Sequence, residues 1–357
     1  MSAAPWDRFA RWVWQDGGVR AGAARAALAP IAALYRLGTM ARNAAYDAGA
    51  LASGPLPIPA IGVGNLAVGG TGKTPLAAFL ARELDRRGVR VALLLRGYGA
   101  DEAAEYGVSA PRARVEAGAD RHAGAARAVA GGAQALVLDD CLQRRDVVVD
   151  VMLAVVAAET WPGTHWPLPA GPWREGVDAL ARAAAVVVTR KTAPAAAAHA
   201  LAASLERRAG GVGLVAELAP GRLEPLGGGP ETPLGSLHGR RVLAACGIGA
   251  PEAFAGQLEA AGAIVEVAAF GDHHRYTPRD VAVLAARAGG RPVVTTGKDA
   301  PKLAALWPAD GPPCLVAALD VRITRGAEWL DRLLDRVAGA ARTHPSTEAA
   351  LEPLQRS

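Results

Sequence analysis

A glycine-rich loop between a strand pattern and a helix pattern constrains the fold of this chain more than any other feature. Residues 64–74 read GNLAVGGTGKT, after the apolar run Ile58–Val63 and before the helical pattern Pro75–Arg87. In such a loop, glycines let backbone N–H groups converge on phosphate oxygens, the lysine reaches the β- and γ-phosphates, and the threonine hydroxyl can bind Mg²⁺. The alternative is an ordinary glycine-rich turn, which the Lys-Thr pair at the helix start disfavours. The predicted phosphate-binding residues are Gly69, Gly70, Thr71, Gly72, Lys73 and Thr74.

A pair of carboxylates follows another apolar run. Ala135–Leu138 ends directly in Asp139 and Asp140. A phosphate-binding loop needs a second Mg²⁺ ligand, a carboxylate at the end of a neighbouring strand. Taken alone, an aspartate at this position could equally cap a helix. Because the loop precedes it in the same predicted sheet, we predict Thr74, Asp139 and Asp140 as Mg²⁺ ligands.

The alternation of apolar runs with helical patterns indicates an α/β fold. Continuous apolar strands separated by helices are typical of a parallel sheet covered on both faces. We therefore predict a P-loop NTPase-like parallel sheet covered by helices, with a second, smaller α/β domain. The predicted organisation is an N-terminal amphipathic segment (1–50), a P-loop domain (51–222), an interdomain linker (223–240), a C-terminal α/β domain (241–337) and a loose tail (338–357).

Composition excludes several classes of protein. The net charge is +5, but the basic residues are not interleaved with aromatic ones, which make up 5% of the chain, so nucleic-acid binding is not expected. Three cysteines without a CxxC pair argue against a disulfide scaffold or a structural zinc site. Because no uncharged apolar run reaches about 18 residues, we expect no helix that spans a bilayer.

The first 50 residues combine aromatic and basic side chains. Trp6, Trp12 and Trp14 lie among arginines, and this segment holds six arginines against three aspartates. Arginines interrupt every apolar stretch, so a cleaved secretory signal is not expected. The residues alone leave two interpretations equally open: a helix that lies in a membrane surface, or a helix packed on the protein's own core.

Further segments extend the pattern that the loop begins. The extended loop itself reads VGNLAVGGTGKTP at Val63–Pro75. The other segments are Arg96–Gly99, Gly118–Ala125, Leu138–Arg144, Leu168–Glu175, Gly247–Phe254, Asp272–Thr277 and Thr295–Asp299. In the order and spacing of these segments, from about Ala27 to Val337, the chain resembles the tetraacyldisaccharide 4'-kinase (lipid A 4'-kinase) family.

The chain departs from the family pattern at three places. The connection from Arg96–Gly99 to the next acidic motif is nearly absent, so that Asp101 aligns with the aspartate of that motif and Asp120 is the alternative. The family's DDGFQH is DDCLQR here, with Arg144 in place of the histidine. Its TTEKD is TTGKD, with Gly297 in place of the glutamate.

The resemblance implies a function and a location. It implies two α/β domains with the active site in the cleft between them. It also implies phosphorylation of the 4'-hydroxyl of an acylated disaccharide 1-phosphate, with ATP and Mg²⁺, by a peripheral protein at the cytoplasmic face of the bacterial inner membrane. It favours the membrane-surface interpretation of residues 1–50, and no obligate protein partner is expected.

The resemblance also implies catalytic residues. Asp101 and His273 occupy the positions of the family's Asp–His pair, which accepts the proton, and we expect them on opposite sides of the cleft. Arg121 and Arg174 match motif arginines that would neutralise phosphate charge, with surface salt bridges as the alternative. Two alternative functions remain: a diverged nucleotide-binding paralogue with weakened or altered activity, and a P-loop kinase that acts on a soluble acceptor.

Overall fold

The computed structural model describes residues 9–10, 12–14, 16–97, 100–161, 163, 165–249, 251–271 and 274–343, and for residues 100–102 and 108 the backbone alone. Among these residues the α-helices are α1 Val19–Asp47, α2 Lys73–Arg86, α3 Ala100–Ser109, α4 Arg121–Ala130, α5 Ala195–Ala209, α6 Pro251–Ala260, α7 Pro278–Ala288, α8 Ala300–Ala304 and α9 Ala327–Thr343. The strands are β1 Gly54–Pro55, β2 Ala60–Asn65, β3 Val91–Leu95, β4 Arg114–Ala117, β5 Ala135–Leu138, β6 Val147–Val148, β7 Val151–Ala157, β8 Ala185–Arg190, β9 Val212–Pro225, β10 Thr232–Pro233, β11 Arg241–Cys246, β12 Ile264–Ala269, β13 Val293–Thr296 and β14 Cys314–Arg325.

The described residues form two compact units. The larger unit contains residues 9–97, 110–217 and 321–343, and the smaller unit contains residues 100–109 and 218–320. The chain passes from one unit to the other within β9 and again within β14. The glycine- and proline-rich segment that follows β9 therefore belongs to the smaller unit.

A parallel sheet forms the centre of the larger unit. Its strand order is β9-β8-β7-β2-β5-β3-β4. Strand β2 lies between β5 and β7, with Ile61 paired to Val137 on one side and to Val151 on the other. Every residue of β2, β3 and β5 is buried. Such near-continuous apolar strands are typical of a parallel sheet covered on both faces, which confirms the predicted fold class.

The smaller unit has a parallel arrangement of its own, in the order β12-β11-β13-β14. Alternate residues of β11 enter two separate apolar clusters. Val242 and Ala244 pack with Phe254 and Leu258, whereas Leu243 packs in a cluster on the other face. Because successive side chains of a strand point to opposite faces, helices cover this sheet on both sides as well.

The C-terminal helix differs from the sequence prediction. Helix α9 continues to Thr343, so residues 338–343 are helical and not part of a loose tail. Val337, Ala338 and Ala341 are buried, and Arg87 binds Asp331 at 3.0 Å in the larger unit. Alanines spaced along a helix give a weak apolar signal in the sequence, whereas packing identifies them directly.

Helix α1 carries apolar side chains that the protein does not cover. Ala21 and Ala32 are its buried residues, whereas Ile31, Leu34, Leu37 and Met40 are each more than half exposed. Across the part of the chain that the structure describes, no helix combines the length and the apolar character needed to cross a bilayer.

Gly64, the fifth residue of β2, tests how closely the fold packs behind the loop. A β-carbon at this position would lie 2.3 Å from the backbone nitrogen of Leu142. We expect Gly64→Ala to lower the free energy of unfolding by about 1–3 kcal/mol, because backbone atoms would have to move. Urea unfolding followed by circular dichroism measures this effect.

Gly339→Ala is the matched control, because no heavy atom lies within 4 Å of its added β-carbon on α9. It should leave stability unchanged or raise it by up to about 1 kcal/mol, since alanine favours helix over glycine. Equal stability of the Gly64→Ala and wild-type proteins would contradict the close approach of these two segments.

Candidate active site

The glycine-rich loop connects a strand to a helix and uses two of its glycines at positions of positive φ. It leaves the carboxyl end of β2 and enters α2 at Lys73. Gly69 and Gly72 have φ values of 128° and 86°, a region that favours glycine. Gly70 has no positive φ, and a β-carbon there would meet no protein atom within 4 Å. Neither backbone strain nor packing explains a glycine at position 70, which fits a backbone that a ligand approaches closely.

Side chains inside the sheet hold the loop in this conformation. The fully buried Asn65 donates from Nδ2 to Thr71 Oγ1 at 2.9 Å and to the Ala67 carbonyl. Thr189, at the end of β8, donates from Oγ1 to the Thr71 carbonyl at 2.7 Å. The sequence analysis did not single out Asn65 or Thr189 as site residues, although Asn65 belongs to the extended loop motif.

The segment before Arg174 fastens the loop from outside. Val68 N–H donates to the Pro172 carbonyl at 2.8 Å, and Arg174 N–H donates to the Leu66 carbonyl at 2.7 Å. A β-bridge joins Ala67 to Trp173 between these two bonds. Ala67 replaces the glycine of the strict loop pattern, and it lies in this paired part of the loop, away from Gly69–Gly72.

Lys73 begins α2 close to the predicted acidic pair. Its Nζ lies 3.6 Å from Asp140 Oδ1, and its side chain is only 14% exposed. Burial lowers the pKa of Lys73 below its ordinary value, and attraction to Asp140 and Asp139 offsets part of that effect. The ammonium group is thus held at the mouth of the loop, in surroundings that favour a negative partner.

Asp140 lies at the centre of a group of cations. Arg174 Nη1 donates to its two carboxylate oxygens at 2.7 and 2.8 Å, and Arg96 Nη1 lies 4.0 Å away. Burial alone would raise the pKa of Asp140, but Lys73 and Arg174 outweigh burial and keep that pKa below its ordinary value. Asp140 also has a positive φ of 54°, which aspartate tolerates better than most residues.

Asp139 faces the threonine at the start of α2. Thr74 Oγ1 donates to Asp139 Oδ2 at 3.5 Å, and the other carboxylate oxygen accepts from Asp140 N–H at 2.7 Å. Mg²⁺ in nucleotide sites is held by one or two protein oxygens together with waters and phosphates. A hydroxyl and a carboxylate that face each other fit this ion. Among the residues with described side chains, no group of three or more His, Cys, Asp or Glu could hold a metal by itself.

Arg121 lies beneath the acidic pair. It is 1% exposed, and its two Nη atoms donate to the Gly118 and Asp139 carbonyls, each at 3.0 Å. Burial lowers the pKa of this guanidinium. Its contacts connect the Gly118 turn to the turn at Asp139, so Arg121 supports the backbone of Asp139.

Cys141 and Arg144 occupy the positions of the family's Gly and His. Arg144 donates to both carboxylate oxygens of Asp146, at 2.9 and 2.6 Å. Cys141 is buried, and burial raises the pKa of its thiol to about 12, which is consistent with no catalytic role. Gln143 donates to the Asn65 carbonyl at 2.8 Å, so the motif still reaches the loop.

The structure treats the two candidate aspartates differently. Asp120 accepts a hydrogen bond from Ala123 N–H at 3.0 Å and thereby caps α4. Asp101 lies in the first turn of α3, and the structure describes its backbone but not its side chain. His273 lies outside the described residues. Helix α3 packs on α8 and groups with the smaller unit, whereas the sequence analysis placed it in the P-loop domain, residues 51–222.

A buried carboxylate organises the loops at the carboxyl edge of the smaller unit's sheet. Asp299 Oδ2 accepts from Gly247 N–H and from Thr296 Oγ1, each at 2.8 Å. A β-carbon on Gly247 would lie 3.2 Å from the Gly271 carbonyl oxygen. Asp299 therefore joins the loops that follow β11 and β13, next to the loop that leads to position 273.

The comparisons with known proteins agree on one family. The chain matches the family described as tetraacyldisaccharide-1-P 4'-kinase (LpxK) over residues 24–120 and 101–338. The tetraacyldisaccharide 4'-kinase of Anaeromyxobacter sp. (strain Fw109-5) is 40% identical over 331 residues, which cover 85% of this chain and 88% of the relative. The enzyme of the same name from Syntrophus aciditrophicus (strain SB) is 34% identical over 351 residues, covering 88% and 94%.

A solved structure agrees with these relatives. The crystal structure of the "apo" form of LpxK from Aquifex aeolicus in complex with ATP has a TM-score of 0.71 and 27% identity, and the match covers 88% of this chain and 99% of that one. Together with the loop geometry, these matches confirm the resemblance seen in the sequence motifs. The chain belongs to the tetraacyldisaccharide-1-P 4'-kinase family.

Proposed function

We propose that this protein transfers the γ-phosphate of ATP to the 4'-hydroxyl of a tetraacyldisaccharide 1-phosphate, a step of lipid A biosynthesis. The observation that carries the proposal is the meeting of Lys73, Thr74 and Asp139 at the carboxyl ends of β2 and β5, in a chain of this family. Its solved relative is described in complex with ATP, which supports ATP as the phosphate donor.

The loop and the cations around it bind and orient the phosphates. Backbone N–H groups of Gly70, Gly72 and Lys73 at the amino end of α2 would provide positive potential without a mobile side chain, while Thr71 N–H donates to the Gly69 carbonyl at 2.9 Å. Lys73 and Arg174 now share the carboxylate of Asp140, and a phosphate would offer them a second anionic partner. Phosphoryl transfer depends mostly on such positioning and charge neutralisation.

Mg²⁺ would be held by Thr74 and Asp139, with Asp140 beside them. When bound, the ion neutralises charge that develops on the phosphate oxygens. Asp140 shares its carboxylate with Arg174, so in our proposal it also fixes the position of that arginine. Arg121 acts through the backbone of Asp139 and serves as a positioning residue for this ligand.

Asp101 and His273 would accept the proton of the attacking hydroxyl. An aspartate supported by an imidazole N–H is kept in place and shares the proton's charge. The helix-capping role of Asp120 supports Asp101 as the base of the pair. Helix α3, which carries Asp101, groups with the smaller unit, and this supports an Asp101–His273 pair formed within that unit. Asp299 holds the loops at the carboxyl edge of the same unit's sheet.

The N-terminal segment would bring the enzyme to its acylated substrate. Exposed apolar residues and exposed arginines such as Arg20 and Arg36 occur together on α1, and helices that lie in a membrane surface combine these two kinds of side chain. We place the protein at the cytoplasmic face of the bacterial inner membrane, as a peripheral protein.

The two alternative functions are not favoured. A diverged binding paralogue would be expected to lose phosphate or metal contacts, yet Thr74 and Asp139 still face each other and Arg144 binds Asp146 without displacing them. A kinase with a soluble acceptor would have no use for the exposed apolar side chains of α1.

The direct test uses purified protein, γ-labelled ATP and a tetraacyldisaccharide 1-phosphate in detergent. The wild-type protein should label the lipid, and Lys73→Ala should reduce kcat/KM by about 10³-fold, since a buried cation at the phosphates is lost. Arg86→Ala, at the exposed far end of the same helix, is the matched control and should retain wild-type activity. A folded Lys73→Ala protein with unchanged turnover would contradict the placement of the phosphate site.

Gly70→Ala distinguishes an effect on nucleotide binding from an effect on stability. The added β-carbon meets no protein atom, so the melting temperature should stay within about 1 °C of wild type. The KM for ATP should rise about tenfold or more, because the methyl group occupies the space that a phosphate needs. Gly339→Ala serves again as control, and an unchanged KM for Gly70→Ala would show that the nucleotide does not approach this position.

The Asp–His pair is tested by a double-mutant cycle. Asp101→Ala and His273→Ala should each lower kcat with little change in the KM for ATP, and the double variant should be much less than additively worse, because residues that act as one unit are non-additive. Asp120→Ala should instead lower stability by about 1 kcal/mol through the lost helix cap. A large loss of kcat in Asp120→Ala alone would reassign the base.

A further inference from the structure

The loop that ends at Trp173 pairs with the phosphate loop through its backbone, but the exposed side chain that it carries has no role in the chemistry described above. We call residues 165–173 the tryptophan loop. Its last residue, Trp173, is buried and contacts His165 with ring centres 4.4 Å apart and ring planes inclined by 44°. The same residue forms the β-bridge to Ala67, and its neighbour Pro172 accepts the hydrogen bond from Val68. The tryptophan loop and the phosphate loop are therefore directly hydrogen-bonded to each other.

The tryptophan loop folds tightly on itself. Leu168 N–H donates to the Trp173 carbonyl at 2.9 Å, and Trp173 N–H donates to the Trp166 carbonyl at 3.2 Å. Gly171 packs so closely that a β-carbon there would lie 2.3 Å from the Trp166 carbonyl oxygen. Trp166 is 43% exposed, and Val68 of the phosphate loop, whose N–H donates to the Pro172 carbonyl, is 39% exposed.

The N-terminal segment reaches the same loop. The indole Nε1 of Trp14 donates to the Pro169 carbonyl at 3.0 Å. Two residues of that segment, Phe9 and Trp12, are 42% and 37% exposed, with ring centres 5.8 Å apart. The N-terminal segment and the tryptophan loop, which each carry exposed aromatic side chains, are thus joined by a hydrogen bond.

The chemistry of these residues favours a lipid surface. Indole rings combine an apolar body with a polar N–H and concentrate where acyl chains meet headgroups. The described residues between 16 and 50 also carry four arginines against two aspartates, a balance that complements anionic headgroups. The substrate of the proposed function carries acyl chains, so a surface beside its phosphate site has to meet lipid.

We propose that the tryptophan loop is a second contact with the phospholipid bilayer, in addition to the N-terminal segment, and that Trp166 enters the headgroup–acyl boundary. This inference rests on the proposed function. Because the tryptophan loop is bonded to residues 66–68, its contact with the bilayer fixes the depth of the phosphate loop relative to the headgroups, where the substrate hydroxyl lies.

The test measures partition of full-length protein into substrate-free vesicles of phosphatidylglycerol and phosphatidylcholine by flotation. Trp166→Ala should weaken partition about tenfold, the change expected when about 55 Å² of indole surface is no longer buried at about 25 cal/mol per Å². Trp329→Ala is the matched control, since this tryptophan lies on α9, whose Asp331 and Asp335 bind Arg87 beyond the far end of α2. It should partition like wild type.

Activity assays in detergent separate this inference from the proposed function. Trp166→Ala should keep the wild-type kcat and KM with substrate in detergent and lose activity only with substrate in vesicles. Unchanged partition of Trp166→Ala would overturn the inference, and a raised KM in detergent with unchanged partition would assign the surface to the substrate's own acyl chains. If active wild-type protein fails to bind vesicles, both membrane contacts are wrong while the kinase proposal stands.

Discussion

The short main-chain pairing between residues 66–68 and 172–174 is the interaction on which the rest of the site depends. It fixes the first half of the phosphate loop, whereas the second half, Gly69–Gly72, turns on itself through the hydrogen bond from Thr71 N–H to the Gly69 carbonyl at 2.9 Å. The same segment continues into Arg174, whose guanidinium then meets Asp140. One set of backbone bonds thus positions the phosphate loop, a cation and an acidic residue together.

Charge balance explains how so many ionisable groups are accommodated at the carboxyl ends of β2 and β5. Lys73, Arg96 and Arg174 surround Asp140, and Arg121 supports Asp139 through its backbone carbonyl. A buried cation without an anion would be costly, and each of these cations has a carboxylate or a carbonyl within reach. In the proposed function, a phosphate and a divalent cation would enter this site as one more pair of opposite charges.

Two departures from the family pattern, Cys141 and Arg144, make contacts close to their own positions. Arg144 replaces a histidine but pairs with Asp146, two residues away in the chain. Cys141 replaces a glycine and is buried without charge. The backbone of Cys141 still donates to the Val63 carbonyl at 2.9 Å, so the turn after β5 keeps its place beside β2. The two substitutions therefore leave the facing arrangement of Thr74 and Asp139 in place.

The amino-acid sequence by itself determined the local elements of this protein. The strand Ala135–Leu138 has the predicted bounds, and Gly69–Gly72 lie between β2 and α2 with Lys73 and Thr74 at the start of the helix, because apolar runs, glycines and the Lys-Thr pair act through neighbouring residues. Only the tertiary structure decided that Arg121 lies buried below Asp139, that Arg174 binds Asp140, that α9 returns to the larger unit and that α3 joins the smaller one. Each of these outcomes depends on contacts between residues far apart in the chain, and periodicity and motif spacing carry no information about which distant side chains meet.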